Sequence, residues 1–176
     1  GLILPRDYQS VDGLLTFAPA LPLITHYADC VPLLFYAADK RIAAAAHAGW
    51  RGTVDGMGRA MVRRLLELGA DRRRIYAAIG PSAGPDRYQV EADIAGRFAP
   101  FSDEAGPIMR EDARQAGKYL VDLWRANREI LLRAGLRREN ISIGGLCTIS
   151  HPDIFFSHRA QGERRGALAA MVMLRP

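Results

Sequence analysis

Two residues with reactive side chains, Cys30 and His47, flank a pair of apolar segments. The segments Val31 to Ala37 and Ile42 to Ala46 are separated by a short polar turn, a pattern typical of a β-hairpin. Cys30 precedes the first segment and His47 follows the second. Because a hairpin brings its open ends together, we expect the thiol and the imidazole to be neighbours in space.

A neighbouring thiol and imidazole support two kinds of chemistry. In the first, the imidazole takes the thiol proton and the thiolate attacks a carbonyl carbon. In the second, both side chains bind a zinc or copper ion with a third ligand and leave one position for water. His26 is the nearest third ligand in the sequence, because alternate residues of a strand share a face and His26 is in phase with Cys30. The residues alone leave both kinds of chemistry open.

An arginine between Trp50 and Gly52 follows His47 closely. The glycines around this segment permit a tight turn or a close approach to a ligand. The guanidinium of Arg51 offers a planar fork of donors suited to phosphate or carboxylate, and the start of the next helix adds free amide groups. We therefore expect Arg51 to bind an anion.

The C-terminal part of the chain contains a second polar cluster, Ser157-His158-Arg159. We expect His158 and Arg159 to reach a substrate. Cys147, His151 and His158 form an alternative set of metal ligands, but their spacing matches no established zinc pattern. Cys147 is predicted to be a free, mostly buried thiol that is not bonded to Cys30.

Strands and helices mix along the chain without strict alternation. This mixture predicts the α/β (or α+β) class, with a single domain of mixed β-sheets flanked by helices in a layered sandwich. The periodicity of apolar residues predicts helices over Thr53 to Leu68, Val90 to Phe98 and Tyr119 to Ala134. It predicts further strands over Leu14 to Phe17, Leu21 to Ala28, Ile75 to Ile79, Ile141 to Leu146, Phe155-Phe156 and Ala170 to Leu174.

The length and amino-acid composition of the chain limit the classes of function that it can have. The 176 residues suffice for one domain with a hydrophobic core, and no apolar run approaches the length of a membrane span. The net charge of +5 comes mainly from dispersed arginines, without the aromatic-rich basic strand or zinc-finger spacing of nucleic-acid-binding modules. Two cysteines in different contexts are typical of free thiols, so we expect a reducing, cytoplasmic compartment.

Five short motifs together resemble one known family, the YfiH-type laccase-domain proteins. This family is also described as polyphenol oxidase or purine nucleoside phosphorylase laccase-domain proteins. The resemblance covers nearly the whole chain, and the segment around Trp50 is its most specific part. The motifs occur in this order: Ala28-Asp29-Cys30, His47-Ala48-Gly49-Trp50-Arg51-Gly52, Ile79-Gly80-Pro81-Ser82, Cys147-Thr148 and Phe155-Phe156-Ser157-His158-Arg159.

The resemblance implies a mononuclear metal site, usually described as zinc, with copper as a second possibility. One cysteine and two histidines form this site in the family, and Cys30 and His47 match two of these ligands. The other family histidine lies in a Val-His-Gly segment well upstream, which this chain does not contain. We therefore expect residues 1–176 to form a single catalytic domain from which an N-terminal segment is missing. The alternative is that His26 supplies the third ligand.

The resemblance also implies an activity. It implies purine nucleoside phosphorylase activity on adenosine, guanosine, inosine and methylthioadenosine, together with deamination of adenosine. On this basis Arg51, His158 and Arg159 are candidates to hold phosphate, and Asp29 to assist proton transfer. The expected partners are a purine nucleoside and phosphate, and we expect a monomer or a small homo-oligomer that binds neither nucleic acid nor membrane.

Three rival functions follow from the same residues and family. One is copper-dependent oxidation of phenols, the older family assignment. Another is a metal-free Cys-His amidohydrolase that edits peptidoglycan precursors. The non-enzymatic rival is a basic module that binds nucleic acid, for which steeply salt-dependent binding would be diagnostic.

Overall fold

The computed structural model describes residues 11–176. Within this part of the chain, strands form sheets of five, three and two members, and helices pack against them. In chain order the elements are β1 (Gly13–Thr16), β2 (Leu23–Tyr27), β3 (Val31–Ala37), β4 (Ile42–Ala48), α1 (Trp50–Val54), α2 (Met57–Glu67), β5 (Ile75–Ile79), β6 (Gln89–Glu91), α3 (Ala92–Gly96), β7 (Met109–Glu111), β8 (Lys118–Val121), α4 (Leu123–Arg133), β9 (Ile141–Ile143), α5 (His158–Gln161) and β10 (Leu168–Val172).

The five-stranded sheet is the centre of the molecule, with strand order β1-β4-β3-β5-β9. Its pairs are antiparallel except β5 with β9, which run parallel. The β6-β8-β7 sheet and the β10-β2 ribbon are separate, so the predicted class of mixed sheets flanked by helices is confirmed. The predicted bounds of β3 and β5 are confirmed as well.

The main core lies between the central sheet and two helices. Leu33 and Phe35 of β3 are fully buried, as are Leu65 of α2 and Leu131 of α4. Each such side chain contributes about 1.5–3 kcal/mol through burial. The helices approach each other closely at Gly58, where an added Cβ would lie 3.2 Å from a methyl carbon of Leu131. The alanines of β4 present small side chains, so the sheet too can pack closely against its neighbours.

Three predicted helices differ from the structure. The helix over Thr53 to Leu68 is two helices, α1 and α2, because Gly56 adopts a left-handed conformation with φ of +82° between them. The first residues of the other two predicted helices form β6 and β8. Helix α4 begins only after Asp122, whose side chain accepts a hydrogen bond from the amide of Arg125. Pairing between sheet strands thus overrides local helical periodicity.

Several predicted strands also change. The predicted Phe155-Phe156 strand was wrong, because these residues lie in a bend and an irregular segment before α5. Strand β9 ends at Ile143, where Gly144 and Gly145 begin a loop. Strand β4 extends beyond its predicted end, so that His47 lies on the strand rather than after it.

The remaining strand differences are shifts of the ends. The pairing of β2 with β10 sets their bounds at Leu23–Tyr27 and Leu168–Val172. The predicted Leu21 to Ala28 strand is therefore shortened at both ends, and the predicted Ala170 to Leu174 strand moves towards the N-terminus. None of the helices in the described part of the chain combines the length and apolarity that a membrane crossing requires.

Candidate functional site

Cys30 and His47 lie at the same end of the β3–β4 hairpin. His47 is paired with Pro32 in the register of the two strands, and Cys30 directly precedes the paired residues of β3. The thiol packs beside Gly49, where an added Cβ would lie 3.1 Å from the Cys30 sulfur. Glycine at this position therefore leaves room for the thiol at the hairpin end.

The two ring nitrogens of His47 have different surroundings. Nδ1 lies 3.6 Å from a carboxylate oxygen of Asp12. Nε2 is buried and has no hydrogen-bond partner among residues 11–176. The ring also contacts the edge of Tyr27, with 5.2 Å between the ring centroids. A carboxylate on one nitrogen and a free second nitrogen are typical of histidines that bind a metal.

The Cys30 thiol is partly buried, and burial raises its pKa. The negative charge of Asp29 raises this pKa further, whereas the positive charge of Arg165 opposes the rise. The neutral thiol is thus favoured unless a further cation binds nearby. Cysteine and histidine are ligand types that zinc prefers, and a thiol and an unpartnered imidazole nitrogen at one end of the hairpin fit such an ion in their chemistry.

The structure does not bring His26 to these two residues. His26 is exposed and pairs with Ala169 of β10. Consecutive strand residues point to opposite faces, so His26 points away from the side on which Tyr27 contacts His47. Within residues 11–176, no three His, Cys, Asp or Glu side chains are grouped so that they could hold a metal ion by themselves.

Asp29 connects three distant segments of the chain. Its side-chain oxygens accept hydrogen bonds from the Thr148 hydroxyl at 2.6 Å and from the Arg159 amide at 2.7 Å. Its own carbonyl accepts from the amide of Ala83 at 2.9 Å. Asp29 is 7% exposed and adopts a left-handed backbone conformation with φ of +78°. With both oxygens engaged by the protein, Asp29 positions its neighbours, and its role in proton transfer stays a prediction.

A cavity of about 300 Å³ opens beside Cys30. This volume is at the lower end of the range for small-molecule sites. Its walls combine aromatic and apolar side chains with cationic ones. Burial raises the pKa of Tyr88 to about 12, so its phenol stays neutral. The lining residues are Ala28, Asp29, Cys30, Trp50, Tyr88, Leu123, His158, Arg159 and Arg165.

Two of the predicted anion-binding residues, His158 and Arg159, line this cavity. The Arg159 guanidinium donates a hydrogen bond to the Gln89 carbonyl at 2.7 Å and lies 5.1 Å from the centre of the Tyr88 ring. His158 lies 4.0 Å from a carboxylate oxygen of Glu163. The guanidinium of Arg159 is therefore held in place, whereas His158 makes only a distant contact with Glu163.

Arg51 lies in a neighbouring groove rather than in the cavity lining. Its guanidinium stacks 4.4 Å from the centre of the Trp50 ring, and Arg97 approaches the same ring at 5.8 Å. Trp50 lines both the cavity and this groove. Arg51 is thus next to the Cys30 cavity, with the indole of Trp50 between the two spaces.

Cys147 lies outside the cavity lining and forms no disulfide. Its sulfur accepts a hydrogen bond from the amide of Gly84 at 3.2 Å. The thiol is free and partly buried, which agrees with the sequence-based prediction. The next residue, Thr148, is the one that contacts the site, through its bond to Asp29.

Sequence reasoning missed three contributors to this site. Tyr88 and Arg165 line the cavity, and Thr148 holds Asp29. Thr148 belongs to the Cys147-Thr148 motif, so this motif was the sequence signal that could have identified Thr148 as a site residue. Tyr88 and Arg165 belong to no motif, since they reach the site only through loops that fold back over it.

We expect Asp29→Asn to destabilise the protein by about 1–3 kcal/mol. An amide group would place N–H donors where the carboxylate now accepts from two donors, Thr148 and the Arg159 amide. The free energy of unfolding in urea measures the effect. Asp153→Asn, at an exposed position, is the matched control and should change stability by less than about 0.5 kcal/mol. Equal stability of the two variants would mean that Asp29 does not hold these segments together.

Comparison with known families gives a match over almost the full chain. The family model described as multi-copper polyphenol oxidoreductase laccase matches residues 3–175. The match includes the hairpin, the loops around the cavity and the last strand.

Individual relatives agree with this match. The chain is 38% identical to purine nucleoside phosphorylase YlmD of Bacillus subtilis over 172 residues, which are 95% of this chain and 61% of the relative. The crystal structure of YlmD from Geobacillus stearothermophilus superposes with a TM-score of 0.87 at 36% identity, covering 94% of this chain and 62% of that one. The hypothetical protein YfiH of Bacillus licheniformis gives 0.86 at 31% identity, with 93% and 61% covered.

The chain spans about three fifths of the length of these relatives. Within that span, the match extends over both the fold and the sequence. The chain therefore belongs to the multi-copper polyphenol oxidoreductase laccase family, the YfiH-type laccase-domain proteins.

Proposed function

We propose that this chain is the catalytic part of a purine nucleoside phosphorylase that also deaminates adenosine. The observation that carries the proposal is the Cys30 cavity, where an aromatic wall meets cationic side chains. A purine ring requires the aromatic wall, and phosphate requires the cationic side chains. Curated relatives that are 31% to 38% identical over most of the chain bear the name purine nucleoside phosphorylase.

The proposed substrates share a purine ring and a pentose. Tyr88 and Trp50 supply aromatic surface for the ring, and Leu123 supplies an apolar side. Adenosine, guanosine, inosine and methylthioadenosine differ mainly at the edge of the purine or at the 5′ position of the sugar. A wall that contacts the ring face accepts all four.

In phosphorolysis, an oxygen of phosphate bonds to C1′ of the ribose while the glycosidic carbon–nitrogen bond breaks. The bonding electron pair leaves with the purine, which takes up a proton, and ribose 1-phosphate is the second product. Arg159 and His158 hold phosphate from within the cavity, and Arg51 attracts it from the adjoining groove. Cationic donors that are fixed before binding lower the cost of orienting the phosphate.

Deamination of adenosine uses water in place of phosphate. A water oxygen bonds to C6 of the purine, and the amino group leaves as ammonia with the bonding electron pair, giving inosine. This reaction needs the purine wall but no phosphate site. The two activities therefore depend differently on the arginines.

Cys30 and His47 would hold a zinc ion in this proposal, with copper as the alternative. The third ligand is the upstream histidine that the family resemblance implies, outside the described residues. The bound ion would supply a Lewis acid at the cavity. Asp12 would orient the His47 ring through its Nδ1, and Asp29 would fix the backbone on which Cys30 sits.

The wider setting follows from the same features. Residues 1–176 would belong to one catalytic domain that acts as a monomer or a small homo-oligomer on small molecules. Two free thiols are compatible with the reducing cytoplasm as its compartment. The family description, polyphenol oxidoreductase laccase, favours copper-dependent phenol oxidation as the second candidate function.

The proposal is tested on the full-length protein with inosine and phosphate. We expect equal amounts of hypoxanthine and ribose 1-phosphate, loss of this activity after chelation, and its recovery with zinc. Anomalous scattering at the zinc and copper edges identifies the metal. Oxidation of phenols with copper alone would favour the laccase alternative, whereas amide hydrolysis that survives chelation would favour a Cys-His amidohydrolase.

We expect Arg51→Lys to raise the KM for phosphate by about tenfold, with a much smaller effect on the KM for inosine. Lysine keeps the positive charge but loses the two-pronged donor geometry of the guanidinium. Deamination of adenosine should change little, because it uses no phosphate. Both reactions are assayed on one preparation.

The control for this variant is Arg63→Lys, at an exposed position of α2, which should leave both activities unchanged. Equal loss of phosphorolysis and deamination in Arg51→Lys would identify Arg51 as a scaffold residue that holds Trp50. The phosphate site would then have to be sought around His158 and Arg159.

A further inference from the structure

Arg165 is a cation that faces the Cys30 cavity with donors to spare. It follows a short turn, Gly162–Arg164, and lines the cavity together with Cys30 and Arg159. Its Nε is buried and has no hydrogen-bond partner among residues 11–176. One terminal nitrogen makes a long contact of 3.4 Å with the Gly166 carbonyl. Most of the guanidinium fork is thus unused by the protein.

No acidic side chain in the described part of the chain forms an ion pair with Arg165. Asp29 is the acidic residue of the cavity lining, and both of its oxygens already accept hydrogen bonds from other partners. A partly buried guanidinium without an anion is unfavourable, because desolvation is not offset by pairing. An anionic ligand in the cavity would supply the missing counter-charge at the terminal nitrogens of Arg165.

The other cations of the cavity are engaged by the protein. Arg159 donates to the Gln89 carbonyl and stacks on Tyr88. His158 faces Glu163 and is exposed. Arg51 lies in the groove beyond Trp50. Arg165 is therefore held less tightly than Arg159, because it combines an unpartnered Nε with a single long contact, whereas Arg159 makes a short hydrogen bond and stacks on Tyr88.

We propose that Arg165 binds the phosphate oxyanion inside the Cys30 cavity, together with Arg159 and His158. The identification of the anion as phosphate rests on the proposed function. A guanidinium fork binds two oxygens of a phosphate at once, which fixes both its position and its orientation. Arg51 would then attract phosphate at the outer groove, whereas Arg165 holds it where it meets the nucleoside.

Binding of inorganic phosphate alone, without nucleoside, tests the inference on the full-length protein. The rise in Tm with phosphate concentration at constant ionic strength gives the Kd. We expect Arg165→Met to raise the Kd at least about tenfold and Arg165→Lys to raise it several-fold, because one or both charge-assisted bonds are lost. Arg164→Met removes the same charge from the exposed neighbouring residue and should leave the Kd unchanged.

Three results would overturn the inference. They are the absence of phosphate binding by the wild type, equal Kd values for wild type and Arg165→Met, and equal loss in the Arg164→Met control. Acetate is the probe for a general carboxylate site, and equal affinity for acetate and phosphate also contradicts a phosphate site. If Arg165→Met does not fold, an unchanged Kd for phosphate in folded Arg165→Lys excludes two-pronged binding of phosphate by the Arg165 guanidinium.

A different combination of results would contradict the proposed function rather than the role of Arg165. If phosphate binds in an Arg165-dependent way but inosine is not cleaved, the phosphorylase assignment fails and the anion site stands. If inosine is cleaved with an unchanged KM for phosphate in both Arg165 variants, the phosphorylase assignment stands and the role of Arg165 is wrong.

Discussion

The candidate site depends on one buried carboxylate, that of Asp29. Its two oxygens and its carbonyl bind Thr148, the Arg159 amide and Ala83, which lie far apart in the sequence. The left-handed backbone at Asp29 turns the chain into β3 and aims the next residue, Cys30, at the cavity. Hydrogen bonds from Thr148 and the Arg159 amide replace the water that this buried side chain would otherwise bind. These bonds fix the backbone beside Cys30 and the start of the helix that carries Arg159.

The central sheet explains why these motifs meet. The beginning of β3 lies beside the end of β4, because the two strands are antiparallel. Strand β5 is antiparallel to β3, and β9 is parallel to β5, so their ends reach the same edge. A single edge of the sheet therefore collects Cys30, His47 and the loops that carry Ser82 and Thr148. The helices pack on the sheet and leave this edge open for a ligand.

Sequence patterns were sufficient for the part of the site that the hairpin controls. The turn after Ala37 and the apolar runs on both sides predicted β3 and its pairing with β4, which puts Cys30 and His47 at one end of the hairpin. They did not reveal the break at Gly56, since its left-handed conformation depends on how α1 and α2 pack. The sequence patterns also failed to predict β6 and β8. The spacing of apolar residues in these short segments is helical, but pairing of the two strands with each other gives them an extended conformation.

The cavity lining was the least predictable part. Tyr88 and Arg165 come from loops whose positions depend on contacts across the whole molecule, so neither carries a local signal. The expectation for His26 failed for a different reason. The alternation of side chains along a strand is a correct rule, and it placed His26 on the same face as Cys30. The chain turns at Asp29 between the two residues, and this turn cancels the phase relation.

The most direct measurement of whether the Cys30 cavity is the nucleoside site is a crystal structure of the full-length protein soaked with inosine and sulfate. Sulfate occupies an oxyanion site but does not cleave the nucleoside. We predict difference density for the purine against Tyr88, and for sulfate on the side of Arg159 and Arg165. Inosine bound elsewhere on the protein, with this cavity empty, would contradict the assignment.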